Sequence, residues 1–99
     1  MRQYSIEEIK TAIIPISRKY NVNRIAIFGS FARGEAGKKS DIDLHLIDTD
    51  EQWGYFKLLS FQQDLEACLG VKVDVLTTGA MDNEVLERVR RDEVMIYEQ

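Results

Sequence analysis

Ile6, Ile9, Ile13 and Ile16 recur at intervals of three and four, behind Ser5 and Glu8 at capping-box spacing. The pattern predicts a helix from Ser5 to Tyr20. Pro15 should kink it or break it into two short helices, because proline brings no N–H to an interior turn. "RIAIF", Arg24 to Phe28, is a short apolar run between turn residues and predicts a buried strand. Ser30, just past the glycine that ends it, is placed to cap a short helix reaching about Gly34. Asp41 to Asp48 alternates polar and apolar throughout, as a strand with one face on the core does. Trp53, Phe56, Leu59, Leu65 and Leu69 predict a helix over 50–69, stopped by Gly70. "VKVDVL", Val71 to Leu76, alternates again as a third strand. "TTGAMD" is a loop, and Val85, Leu86 and Val89 predict a last helix from Asn83 to Arg91. The closing "EVMIYE" suits a strand or a packed tail equally.

Helices and strands in that order give an α/β or α+β fold around a small sheet. The 99 residues allow one domain, expected over 1–99, with one modest core. Charged residues make up 30% of the chain and sum to −4, which speaks against a protein whose main task is gripping a nucleic-acid backbone. Divalent cations could still reverse the sign of a local acidic site. Cys68 is the single cysteine, so neither an intrachain disulfide nor a zinc framework is expected. Its setting, "LEACLG", reads as a small buried helix residue. No apolar run approaches the roughly 18 residues of a membrane span, and the first residues carry no signal pattern. A soluble cytoplasmic protein is the expectation.

The chemistry gathers at the second predicted strand. Residues two apart on a strand share a face, so Asp41 and Asp43 project together while Ile42, Leu44 and Leu46 face the core. At about 7 Å, two such charges repel by about 2.4 kcal/mol at an effective dielectric of 20. Taken alone, the pair reads first as a solvated face, such as an edge charged against aggregation. A divalent cation between them would turn the repulsion into binding, and hard oxygen ligands suit magnesium. Asp74 leaves the core face of its own strand in the same way. If the two strands are neighbours, three carboxylates share one patch, which alternation by itself does not establish. Gly29–Ser30, a strand end leading to a helix start, offers backbone N–H groups to phosphate. It is not a Walker loop, because Glu35 stands where that motif needs lysine. Arg33 can contact phosphate or pair with a carboxylate. Lys38 and Lys39 read as a solvated loop, Ser40 as a strand start, and His45 as a structural residue on the aspartate face.

"GSFARGEAGKKSDIDL", Gly29 to Leu44, resembles the signature of the polymerase-β-like nucleotidyltransferases, a glycine–serine pair followed after ten residues by D-x-D. The fuller wording is similar to the minimal nucleotidyltransferase branch, and with the later strand aspartate the resemblance runs from about Ile6 to Leu76. It implies a small mixed sheet with flanking helices and nucleotidyl transfer from a nucleoside triphosphate, commonly ATP. Asp41, Asp43 and Asp74 would be the catalytic and metal-binding residues for two magnesium ions. Gly29, Ser30 and Arg33 would bind the nucleotide.

Little sequence follows Asp74, so most of the acceptor site is expected to come from another molecule. Short members of this branch resemble antitoxins paired with an all-helical HEPN-type toxin. The resemblance thus implies transfer of AMP to a tyrosine of such a partner. Two other functions remain open: an antitoxin that masks its partner without turnover, and adenylylation of a small molecule such as an antibiotic. Trp53, Tyr55, Phe56 and Phe61 suit core packing or an aromatic docking face.

Overall fold

The computed structural model describes residues 4–35, 41–47 and 53–99. Helix α1, Ile6–Lys19, opens on the expected reciprocal cap. Ser5 Oγ accepts from the Glu8 N–H and Glu8 Oε1 from the Ser5 N–H, each at 3.1 Å. It continues through Pro15 rather than dividing in two. Pro15 and Thr11, whose carbonyl it leaves without an intrahelical donor, are both exposed, so water can take that bond.

Strand β1, Arg24–Phe28, has the expected bounds, and β2 spans Ile42–Ile47. Between them Gly29 to Gly34 form successive turns instead of a capped helix. Arg33 N–H donates to Gly29 O, Gly34 N–H to Phe31 O and Glu35 N–H to Ser30 O, a mixture of ring sizes that no regular helix supports. The expectations for Lys38, Lys39, Ser40, Asp48 and residues 50–52 fall outside the described residues. Helix α2, Tyr55–Leu69, starts at Gly54 and ends at Gly70, whose φ of 71° is the left-handed stop that glycine adopts freely. Strand β3 is Val73–Thr77, followed by a single 3-10 turn, Thr78–Ala80. Helix α3, Asn83–Asp92, is capped by Asp82 through its bond from Val85 N–H at 2.8 Å. The chain closes on a strand, β4, Val94–Glu98.

The sheet order is β3-β2-β1-β4. β1 pairs antiparallel with both β2 and β4, while β2 and β3 are parallel with α2 as their crossover. Ile25 and Ile27 of β1, Leu44 and Leu46 of β2, and Val73 of β3 are fully buried on one face of the sheet. Ile9 and Ile13 of α1 and Phe61 and Leu65 of α2 complete that core. The buried stripe of α2 is Phe61–Leu65–Leu69. Cys68, about 100° around from Leu69, therefore falls outside it and is exposed, not buried as its surroundings suggested. Phe61 packs edge-on against both Tyr20 and Trp53, whereas Tyr55 and Phe56 meet edge-to-face in solvent. No helix among the described residues is long and apolar enough to cross a membrane.

Ser17 is fully buried on α1, and its hydroxyl has no partner among the described residues. Ser17→Ala removes that unpaired group and improves helix propensity. It should raise the unfolding free energy by about 1 kcal/mol in urea melts, and a loss of stability would contradict the assignment.

Candidate active site

The face of the sheet opposite α1 and α2 carries the polar residues of β2 and β3. Pairing sets Asp43 directly beside Asp74, as it sets Ile42 beside Val73 and Leu44 beside Val75. The adjacency that alternation left open is therefore present. Asp41 lies just ahead of β2, and all three carboxylates are half-buried. Lys72 spans two of them, its Nζ 3.8 Å from Asp41 Oδ2 and 4.0 Å from Asp74 Oδ1.

Gly29 closes the patch from the β1 side. Its φ is 73°, and a Cβ built there would collide with the Asp43 carboxylate. Glycine is thus required twice, for its left-handed backbone and for a main chain pressed against a carboxylate. Ser30 follows in the turn, half-buried, with its carbonyl accepting from Glu35 N–H at 2.8 Å. Arg33 adopts the carboxylate-pairing alternative, with Nε 3.0 Å from Glu35 Oε2 and Nη1 3.4 Å from Asp92 Oδ2.

The Asp43 carboxyl is raised from 3.8 to about 6. Burial contributes most, followed by the charges of Asp74 and Asp41, and a hydrogen bond with Asp74 adds to it. The Arg33 guanidinium pulls the other way. Hard oxygen donors that repel one another suit a divalent cation such as magnesium. Among the described residues no three such side chains close on one point as they stand. The Lys72 ammonium shows that positive charge is accommodated between Asp41 and Asp74. The donor chemistry therefore fits a metal.

His45 shares the aspartate face, two residues along β2, but is fully buried. Nδ1 lies 2.7 Å from Glu93 Oε1 and Nε2 2.7 Å from Thr78 Oγ1. A carboxylate only accepts, so the network assigns a proton to Nδ1. The ring ties the end of α3 and the 3-10 turn to β2, a structural task in keeping with its sequence reading.

A cleft of about 450 Å³ opens beside Gly29, between the end of β1 and α3, lined by Phe28, Arg33, Val85, Arg88 and Arg91 among others. The sequence reading passed over Arg88 and Arg91 because it followed the apolar stripe of that helix. Their spacing of three, one helical face, was the available signal. Lys72 was passed over too, although it precedes Asp74 by the two residues that put side chains on one face.

The family model for polymerase beta nucleotidyltransferases matches residues 11–99. The chain belongs to this family. A Methanocaldococcus jannaschii protein provisionally named a protein adenylyltransferase, MJ0435, is 40% identical over 90 residues, which span 91% of this nucleotidyltransferase and 96% of the relative. Protein adenylyltransferase MntA of Thermococcus cleftensis is 30% identical over 100 residues, 97% of this chain and 100% of its own. A chain from the complex of a tri-AMPylated Shewanella oneidensis HEPN toxin with MNT antitoxin superposes with a TM-score of 0.74, covering 95% of this chain and 73% of that one. At 18% identity that likeness establishes the fold.

A carboxyl with a raised folded-state pKa binds a proton that the unfolded chain has already lost. Stability should therefore fall as pH rises from about 4 to about 6 and stay lower above that window. Asp43 is half exposed, and solvent screening reduces the effect to about 1 kcal/mol. Asp43→Asn should flatten the slope and gain about that much at neutral pH. Parallel pH profiles of wild type and variant in metal-free buffer would contradict this electrostatic account.

Proposed function

We propose that this nucleotidyltransferase transfers AMP from ATP, with magnesium, to a tyrosine hydroxyl of a HEPN-type helical partner and thereby acts as its antitoxin. The observation that carries the chemistry is the β2–β3 register, which holds Asp43 and Asp74 side by side with Asp41 near. The named activities of the relatives and the AMPylated toxin in the complex of similar fold support the donor and the class of acceptor.

Asp41, Asp43 and Asp74 are the residues to hold the metal, which when bound would neutralise charge developing on the attacking and leaving oxygens. The Gly29–Ser30 turn, left without a side chain at its closest approach, lets backbone N–H groups meet the triphosphate. Arg33, near enough to influence Asp43, adds positive charge on the same side. Asp74 accepts the proton of the acceptor hydroxyl. The hydroxyl oxygen bonds to the α-phosphorus, the bond from that phosphorus to the β-bridging oxygen breaks, and pyrophosphate leaves with the electron pair.

The test is transfer of label from α-labelled ATP, with magnesium, to polypeptides of the source organism, followed by mapping of the modified residue. Wild type should label one polypeptide on tyrosine, and chelation should abolish the labelling. Asp43→Ala should reduce it by about two to three orders of magnitude, the scale of removing one charge-stabilising group. Undiminished labelling by Asp43→Ala would overturn the assigned site. A wild type that binds ATP yet labels nothing would favour masking without turnover.

A further inference from the structure

The cleft beside Gly29 reverses the sign of the chain's charge. Arg33, Arg88 and Arg91 line it against one carboxylate, Asp92, while the whole sequence sums to −4. Arg33 spends its guanidinium on Glu35 and Asp92. Arg88 and Arg91 are exposed on α3 and have no hydrogen bond or ion pair among the described residues. Three residues apart, they present like charges on one helical face, an arrangement that costs the isolated helix a little and that an anion between them would relieve.

The helix that carries them is fixed to the sheet. Val89, between the two arginines, is buried, Asp92 is held by Arg33, and Glu93 is held by His45. The guanidinium groups thus project from a supported element rather than from a loop. The cleft also meets the carboxylate patch directly, because Gly29 both lines the cleft and abuts Asp43. A ligand whose reacting atom lies at the carboxylates can therefore extend past Gly29 toward α3.

The volume of about 450 Å³ suits one small ligand, not a stretch of polyanion. A triphosphate reacting at its α-phosphorus must place the β- and γ-phosphates, with most of its charge, on one side of that atom. Forked guanidinium groups match phosphate oxygens in geometry and charge. We propose that Arg88 and Arg91 bind the β- and γ-phosphates of the donor and hold the pyrophosphate as it departs, an inference that rests on the nucleotidyl-transfer reading above. The bridging oxygen that receives the electron pair becomes part of the pyrophosphate facing these guanidinium groups. The proton of the acceptor hydroxyl goes to Asp74 and takes no part in the cleft.

Calorimetric titration with inorganic pyrophosphate, ATP and AMP tests this on wild type, Arg88→Gln, Arg91→Gln and the double variant, with magnesium present. Each single change should weaken ATP and pyrophosphate by about tenfold and the pair by about a hundredfold, leaving AMP unchanged. Both side chains are exposed, and circular dichroism of each variant should match wild type, showing that the fold persists; Arg88→Lys, which keeps charge but loses the fork, should fall between. Equal losses for AMP and ATP would overturn the proposal in favour of a base site on Phe28, Val85 and Val89. Unchanged ATP and pyrophosphate binding in the variants would overturn it in favour of an acceptor site. A wild type that binds neither ATP nor pyrophosphate would overturn the nucleotide reading itself.

Discussion

Two parallel strands in one register place two carboxylates side by side, and the site is organised around that repulsion. Asp43 and Asp74 cannot move apart without shifting β2 against β3. Such a shift by one residue would turn the apolar side chains of the moving strand, Ile42 and Leu44 or Val73 and Val75, out of the core. Burial of either pair, at about 1.5–3 kcal/mol for each side chain, outweighs the unfavourable pairing on the opposite face. The raised Asp43 carboxyl is the local sign of that imbalance. The hydrophobic face thus sets the position of the polar one, and a bound cation would relieve the repulsion there.

The neighbouring features extend the same constraint. Gly70 stops α2 where the chain must turn back to enter β3, so the crossover delivers Asp74 to its place. Gly29 lets β1 end against the Asp43 carboxylate, which any side chain there would displace. His45, beneath the patch on the same strand, binds the 3-10 turn and the end of α3. The helix bearing Arg88 and Arg91 is therefore registered to the strand bearing Asp43. The carboxylate patch and the arginine-lined cleft come from distant parts of the sequence and are joined through one buried ring.

Much of this was legible in the sequence, for identifiable reasons. An apolar run between turn residues gave β1, and alternation gave β2 and the separation of Asp41 and Asp43 from Ile42 and Leu44, because a period of two puts neighbours on opposite faces. The capping box placed the start of α1 and glycine the end of α2. Pro15 was misleading because its effect depends on which side of the helix it occupies, and only packing fixes that side. Ser30 suggested a helix where mixed turns form, since a cap residue signals the start of a segment and not its length. Cys68 looked buried from its apolar neighbours, yet a rotation of one residue places it in solvent. The adjacency of Asp43 and Asp74, the bridging position of Lys72 and the arginine wall of α3 are long-range facts. They follow from strand order and helix placement, which local pattern does not encode.

The central claim is that the Asp43–Asp74 pair is a repulsive site completed by a cation. Carbon-13 NMR titration of the aspartate carboxyls, with and without magnesium, tests it most directly. Without metal, the pair should show an apparent pKa of about 6 assigned chiefly to Asp43. Saturating magnesium should bring that midpoint down into or below the ordinary aspartate range. A midpoint near 4 without metal, or one that magnesium leaves in place, would contradict the account.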